Sequence, residues 1–132
     1  MYEVYYTAPF SDISHNMTVT IYHNPKCSKS RQTLELLVEK NIAPTVIEYL
    51  KNPPTVKKLQ EILSQLEIAP RDLMRKKEDE YKNLNLANPS LSDEDLIRFM
   101  VEHPILIERP IVLANGKAAL GRPPEQVLDI LG

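Results

Sequence analysis

The stretch YHNPKCSKSR, residues 22–31, decides the fold and contains the only cysteine of the chain, Cys27. The β-branched run VTI at 19–21 precedes it, and residues 30–40 follow with apolar side chains at helical spacing. Cys27 is therefore predicted to lie in a turn from a strand to a helix, where the first N–H groups of the helix have no intrahelical partner. These groups and the helix dipole favour a negative charge, so we expect the thiol to ionise more readily than that of a free cysteine.

Polar and charged residues surround this cysteine in the sequence. Lys26, Lys29 and Arg31 add positive charge, and His23 lies four residues upstream, at the end of the predicted strand. The alternative is a buried structural cysteine, because unpaired cysteine is among the residue types most often found inside proteins. The polar character of residues 24–31 favours an exposed turn with a reactive thiol.

Length, charge and cysteine content restrict the class of protein. The 132 residues suffice for one domain with a hydrophobic core, and a net charge of −2 argues against a nucleic-acid partner. One cysteine allows no internal disulfide, and no Cys/His cluster has zinc spacing, so we predict no metal site. The N-terminus lacks the features of a secretory signal, and no stretch is apolar enough to span a membrane. These features predict a cytoplasmic protein.

The first sixteen residues differ from the rest of the chain. Residues 1–16 contain three of the six tyrosines and no lysine or arginine, and Met17 stands directly before the first convincing strand. We therefore predict that Met17 is the natural start and that residues 1–16 are an extension that is either not native or not structured. Residues 17–132 are predicted to form a single domain.

The pattern after Met17 predicts a βαβ unit. A strand is predicted at Thr18–His23, a helix at Ser30–Lys40 and a second strand at Thr45–Tyr49. Short connections of this kind imply a right-handed crossover between parallel strands. The sequence NPPT at 52–55 then breaks the chain and caps the next helix.

Residues 55–102 are predicted to be a helical insertion of about four segments. Two short charged helices are predicted at 71–77 and 78–84, and Ser92 with Asp95 forms a capping box at the start of the last helix. The apolar residues at helical spacing are Val56, Leu59, Ile62, Leu63 and Leu66 in the first helix, and Leu96, Ile97, Met100 and Val101 form the inner face of the last.

Strand patterns return at 111–114 and 117–120, separated by Asn-Gly at 115–116, which is the strongest short signal for a β-hairpin. A last helix is predicted from the RPP sequence at 122–124 onward. Its inward-facing residues are predicted to be Val127, Leu128 and Leu131. The order βαβ–helical insertion–ββα is that of an α/β, thioredoxin-like fold with a mixed sheet of about four strands.

This fold makes a specific prediction at Pro110. Thioredoxin-like folds place a cis proline before the third strand, so the Arg109–Pro110 peptide is predicted to be cis and to lie beside the Cys27 thiol. The alternative is a trans proline at the start of an edge strand.

A lone cysteine can attack an electrophile, but the adduct must be resolved by a thiol from another molecule, for which glutathione and glutaredoxin are the candidates. An oxyanion substrate would need fixed positive charge near Cys27, and arginine suits this because it stays charged and binds two oxygens. The candidates are Arg75, Arg109 and Arg122; for each, the alternative is a solvated surface side chain. A phosphatase-type loop is excluded, because the sixth residue after the cysteine is Thr33 rather than arginine.

The chain closely resembles the glutaredoxin-linked arsenate reductase family. The matching segments, in order along the chain, are IYHNPKC at 21–27 with Ser30-Arg31, YL at 49–50, NPPT at 52–55, LMRK at 73–76, HPILI at 103–107, RPIV at 109–112 and GRP at 121–123. The resemblance is to a shorter subgroup, without the C-terminal extension usual in reductases encoded with arsenic-resistance systems. A related branch of regulators carries Cys-x-x-Cys, whereas the third residue after Cys27 is Ser30, which excludes a dithiol switch.

The resemblance implies an enzyme in which Cys27 attacks arsenate, glutathione resolves the adduct as co-substrate, arsenite leaves and glutaredoxin reduces the mixed disulfide. No bound cofactor is implied. Arg75, Arg109 and Arg122 match the family's oxyanion-binding arginines, and His23 matches a histidine thought to help lower the thiol pKa; its alternative is a histidine packed at a strand end. Ser30, Arg31 and Pro110 are matched as supporting residues.

Two other functions remain open at this stage. One is a glutathione-dependent thiol oxidoreductase with another substrate, and the other is a non-catalytic, regulator-type module that binds a protein partner. The presence of all three arginines favours the reductase over the binding module, because a binding module has no need to hold an oxyanion.

Overall fold

The computed structural model describes residues 18–132, so the predicted extension, residues 1–16, lies outside the described part of the chain. The elements in chain order are β1 (Val19–His23), α1 (Ser28–Glu39), β2 (Thr45–Glu48), α2 (Val56–Leu66), α3 (Pro70–Leu73), α4 (Asp79–Asn83), α5 (Asp93–Glu102), a 3₁₀ helix (Pro104–Leu106), β3 (Ile111–Ala114), β4 (Lys117–Leu120) and a C-terminal 3₁₀ helix (Pro124–Ile130).

The chain divides into two compact units. The first, here called the sheet unit, comprises the residues up to Glu48, described from 18 onward, and Arg109–Gly132. The second, here called the helical unit, is Tyr49–Glu108, and the predicted insertion at 55–102 lies inside it.

The sheet unit contains a mixed sheet with strand order β2-β1-β3-β4. β1 and β2 are parallel, whereas β3 is antiparallel to both β1 and β4. The hairpin between β3 and β4 turns at Asn115 and Gly116, whose φ angles of 55° and 73° are those of a type I′ turn. The predicted mixed, thioredoxin-like sheet is therefore confirmed, together with the βαβ unit and the hairpin.

One face of this sheet carries the core of the sheet unit. Val19 pairs with Ala114 and Ile21 with Val112, so these four side chains form adjacent cross-strand pairs. Leu37 from α1 packs on them, and the C-terminal 3₁₀ helix adds two more buried side chains, Val127 and Ile130. This packing fixes the start of α1, and with it Cys27, at the end of β1.

The C-terminal helix differs from its prediction. It is a 3₁₀ helix, in which side chains three residues apart lie on one face, so Pro124, Val127 and Ile130 are buried. The prediction that Leu128 faces inward is wrong, since its side chain is 37% exposed. Leu131 is partly buried against the core.

In the helical unit, local capping is as predicted. The Thr55 side chain accepts from the Lys58 N–H at 3.0 Å, and Ser92 and Asp95 form the reciprocal capping box of α5. The inner face of α5 is formed by Leu96, Ile97 and Met100, and Val101 is only half-buried.

The helix predicted at 71–77 is wrong beyond Leu73, where α3 ends. Met74 is extended and forms an antiparallel bridge with Ile107, and the Arg75 N–H donates to the Leu106 carbonyl at 2.8 Å. Pairing with a segment about thirty residues away thus replaces the local helical hydrogen bonds. A charge-rich sequence carries no signal for such pairing.

A half-buried arginine joins three distant points of the helical unit. Nη1 of Arg71 donates to the Tyr81 hydroxyl at 2.9 Å and to the Leu86 carbonyl, and Nη2 donates to the Asn88 carbonyl at 3.2 Å. This arginine therefore acts as a structural cross-link between α3, α4 and the chain that follows α4. No helix in the part of the chain that the structure describes is long and apolar enough to cross a membrane.

Candidate active site

Cys27 is the residue immediately before α1, with the extended backbone conformation of a helix N-cap (φ −99°, ψ 125°). Its N–H donates to the Asn24 carbonyl and its own carbonyl accepts from the Arg31 N–H, both at 3.0 Å. The sequence thus places the cysteine correctly at the strand-to-helix turn. Its surroundings are as expected, since Pro25 and Lys26 are exposed, but the cysteine itself is only 8% exposed.

The pKa of the Cys27 thiol is lowered despite this burial. Burial alone would raise the pKa, but the backbone N–H of Ser30, the positive charge of Arg109, the N–H of Lys29 and a hydrogen bond from the Arg109 side chain together outweigh it. Both N–H groups belong to the first turn of α1, where backbone N–H groups have no intrahelical partner. The start of the helix and one arginine therefore favour the thiolate form of a mostly covered cysteine.

Arg109 and Arg122 lie together in the sheet unit. Arg109 contacts the Cys27 thiol, and Nη1 of Arg122 donates to the Arg109 backbone carbonyl at 3.1 Å. The Arg109–Pro110 peptide is cis, as predicted, and the Arg122–Pro123 peptide is also cis, which was not predicted. Arg109 thus lies at the thiol, and Arg122 lies against the backbone of Arg109.

Arg75, the third predicted arginine, belongs to the helical unit. Its Nη1 lies 2.6 Å from Glu78 Oε2 and its Nε lies 3.7 Å from Glu108 Oε1. Its membership of the same site stays a prediction.

His23 and Ser30 form a buried pair next to the cysteine. His23 Nδ1 lies 2.6 Å from Ser30 Oγ, and the same hydroxyl accepts from the Asn24 N–H at 3.0 Å. A hydroxyl that accepts from one N–H still has a proton to donate to an unprotonated ring nitrogen. The contact with His23 therefore holds Ser30, whose backbone N–H faces the Cys27 sulfur.

The histidine of this pair is neutral near pH 7. Burial lowers the pKa of His23 below 6.5, the carboxylate of Glu48 acts in the opposite direction, and Arg31 lowers it further. His23 therefore brings no positive charge to the thiolate near neutral pH, and its geometric connection to Cys27 is through Ser30. Its role in lowering the thiol pKa stays a prediction.

Arg31 braces the turn between β1 and α1 from its exposed side. It is exposed, and its Nη1 donates to the Pro25 carbonyl at 3.0 Å. Both residues also line a shallow, open groove of about 490 Å³ on the surface. The other lining residues are His23 and a stripe along α1, namely Leu34, Glu35, Val38 and Glu39.

Pro110 is positioned by a close packing contact that was not predicted from the sequence. The Gly121 N–H donates to the Pro110 carbonyl at 3.0 Å, and a Cβ on Gly121 would lie 2.8 Å from Pro110 Cγ and closer still to the Thr33 hydroxyl. Thr33 is buried in α1 and donates to the Lys29 carbonyl at 2.8 Å. Only the glycine of the GRP segment at 121–123 hinted at this contact in the sequence.

Residues 18–132 contain no group of three or more His, Cys, Asp or Glu side chains that could hold a metal ion. The arrangement that they do contain is a thiol of lowered pKa, flanked by helix N–H groups and by the guanidinium of Arg109. Chemically, this favours attack by sulfur on an oxyanion, since the same positive groups stabilise the nucleophile and attract the substrate.

Comparison with known proteins gives a consistent result. The model of the ArsC family matches residues 22–130. The chain is 58% identical over 115 residues to the Escherichia coli (strain K12) protein YfgD, covering 86% of this chain and 97% of that protein. It is 51% identical over 114 residues to an arsenate reductase of Neisseria meningitidis, covering 86% and 97%. The structure of an arsenate reductase from Vibrio cholerae matches with a TM-score of 0.84 and 57% identity, over 86% of this chain and 98% of that one.

Proposed function

Because the chain belongs to the ArsC family, we propose that it is an arsenate reductase, an oxidoreductase that converts arsenate to arsenite. The observation that carries this proposal is the position of Cys27 at the start of α1 and beside Arg109, where helix N–H groups and the guanidinium lower the pKa of the thiol. A thiolate in such surroundings is both a nucleophile and the neighbour of an anion site.

In the first step, the Cys27 sulfur attacks arsenic, an S–As bond forms and an As–O bond breaks, and the departing hydroxyl takes up the proton that the thiol gives up and leaves as water. Arg109 and Arg122 compensate the negative charge of the oxyanion, and Arg75 is the third arginine that the family resemblance assigns to the substrate. His23 and Ser30 hold the first turn of α1, so that the Ser30 N–H stays directed at the sulfur.

In the second step, glutathione supplies the second thiol. Two thiols lose two electrons to form the Cys27–glutathione disulfide, and arsenic gains these two electrons and leaves as arsenite. Glutaredoxin then reduces the mixed disulfide, because a chain with one cysteine has no resolving thiol of its own. This chemistry requires the glutathione pool of a reducing compartment, which supports a cytoplasmic location.

The groove beside the turn supports glutathione as the co-substrate. It opens at Pro25 and Arg31, two and four residues from Cys27, and continues along α1 past Leu34 and Val38 to Glu39. An arginine at one end and carboxylates along the helix suit a tripeptide that carries both carboxylates and an ammonium group.

The test is arsenite formation by the purified protein with arsenate, glutathione, glutaredoxin and a reductant. We expect turnover in the wild type and none in Cys27→Ser, with equal thermal unfolding of the two proteins as the control for folding. Near-normal turnover in Cys27→Ser would contradict the mechanism. No arsenite in the wild type, together with ready glutathionylation of Cys27, would instead favour a thiol oxidoreductase with another substrate.

A further inference from the structure

The Arg75 side chain lies between two carboxylates of the helical unit. Its Nη1 is 2.6 Å from Glu78 Oε2, and its Nε is 3.7 Å from Glu108 Oε1. The three side chains are 26%, 22% and 28% exposed, so they are neither buried nor freely solvated. An arginine assigned to an oxyanion therefore already binds anions of the protein itself.

The backbone holds these groups in place. Arg75 and Glu108 lie on two segments joined by hydrogen bonds from the Arg75 N–H to the Leu106 carbonyl at 2.8 Å and from the Glu108 N–H to the Leu73 carbonyl at 2.9 Å. A turn closed by the Glu78 N–H and the Arg75 carbonyl at 3.3 Å brings the Glu78 side chain back to the guanidinium. The backbone of this turn thus holds the Arg75–Glu78 ion pair in place.

We propose that Glu78 is an internal competitor that the oxyanion must displace from Arg75 Nη1, so that Glu78 sets how tightly a tetrahedral dianion binds. A guanidinium offers paired N–H groups to an oxyanion, and a dianion interacts with it more strongly than one carboxylate does. A monoanion lacks this advantage over Glu78. The residue would therefore favour doubly charged oxyanions, and this inference rests on the proposed function.

The opposite effect of Glu78 would be to brace Arg75 for the substrate. The local contacts favour competition, because Glu78 Oε2 already lies on Arg75 Nη1, so that an anion can bind this nitrogen only after the carboxylate has left it. Removing the charge of Glu78 weakens its hold on Nη1, while Glu108 remains near Nε. Competition predicts that the protein binds the anion more tightly when Glu78 loses its charge, whereas bracing predicts weaker binding.

The experiment measures the binding of sulfate, a non-reacting tetrahedral dianion, from its effect on the NMR signal of the Arg75 Nε–H. In Glu78→Gln, which keeps the size and one acceptor oxygen, we expect Kd to fall by about threefold to fivefold, the scale of a partly exposed ion pair. Glu78→Ala should change Kd in the same direction. Glu61→Gln removes a carboxylate from an exposed pair of the same spacing, with Lys58, and should leave Kd unchanged.

Two further results separate this inference from the proposed function. Sulfate affinity, followed by fluorescence or chemical shifts elsewhere, should be equal in Arg75→Ala and Arg75→Ala/Glu78→Gln, because Glu78 acts only through Arg75. Unchanged or weaker binding in Glu78→Gln, in a wild type that reduces arsenate, overturns the inference alone. Tighter binding in Glu78→Gln of a protein that does not reduce arsenate overturns the proposed function and the assignment to arsenate, while supporting the competition for dianions.

Discussion

Two arginines from the same set of family motifs have different electrostatic partners. In the sheet unit, Arg109 acts on the Cys27 thiol and helps to lower its pKa. In the helical unit, Arg75 is held by the carboxylates of Glu78 and Glu108. The comparison teaches that a motif specifies where a guanidinium is, whereas the groups around it decide whether its charge acts on a thiol or is held by carboxylates of the protein.

The largest effect that distinguishes the two regions is expected from Gly121→Ala. The added Cβ would clash with Pro110 and Thr33, and we expect a loss of about 1–3 kcal/mol in the free energy of unfolding. Displacement of Pro110 should also move Arg109 and raise the pKa of Cys27. Urea unfolding and the pH dependence of thiol alkylation measure the two effects.

Gly116→Ala is the matched control for this substitution. Gly116 has positive φ, but a Cβ there would meet nothing within 4 Å, so the only cost is backbone strain of about 1 kcal/mol. The pKa of Cys27 should not change. An equal pKa change in both variants would show that the Gly121 contact does not position the arginine.

In the helical unit, Arg71→Lys should remove the forked contacts to Tyr81, Leu86 and Asn88. We expect a loss of about 1–3 kcal/mol, because partly buried acceptors are left without their donor. Hydrogen exchange should accelerate in the helical unit, and the pKa of Cys27 should stay as in the wild type. Arg98→Lys, at an exposed arginine of α5, is the control and should change stability by less than about 0.5 kcal/mol.

The comparison of the two arginines is tested directly by their alanine variants. Arg109→Ala should raise the pKa of Cys27, since a cation that stabilises the thiolate is removed, and it should mainly weaken oxyanion binding. Alkylation near neutral pH should slow and recover as the pH is raised. Arg75→Ala should leave this pH profile unchanged, and a similar shift in both variants would contradict the contrast drawn between them.

The smallest effect concerns His23. Its pKa is lower in the folded protein than the ordinary 6.5, so the unfolded chain takes up a proton first as the pH falls. The stability contributed by the neutral ring is therefore complete above pH 6.5 and is lost as the pH falls through the folded-state pKa. Unfolding measured from pH 7.5 to pH 5 should show a shallower decline in His23→Gln, and an unchanged slope would contradict this.

Features determined by local chemistry could be predicted from the sequence. The Asn115-Gly116 turn needs two residues that tolerate positive φ, and the capping box of α5 needs only Ser92 and Asp95 three residues apart. The position of Cys27 follows from the change of hydrophobic period at the end of β1. Each of these signals lies within a few residues of the structure that it specifies.

Features determined by distant partners could not be predicted. Met74 is extended because it pairs with Ile107, and the helical propensity of its own segment does not report this. The site shows the same limit: Ser30 was identified only as a supporting residue, and its bond to His23 becomes visible only in three dimensions. Likewise, the sequence gives Arg75 but not the carboxylate of Glu78 on its Nη1.

The central claim is that Cys27 passes two electrons to arsenate together with one glutathione thiol. The most direct test is a single turnover with arsenate and glutathione but without glutaredoxin, in which arsenite and the intact mass of the protein are measured together. We expect one arsenite for each protein that gains one glutathionyl group at Cys27, and no gain over the same time without arsenate. Arsenite formed while Cys27 stays unmodified, or a glutathionyl group gained equally without arsenate, would contradict the account.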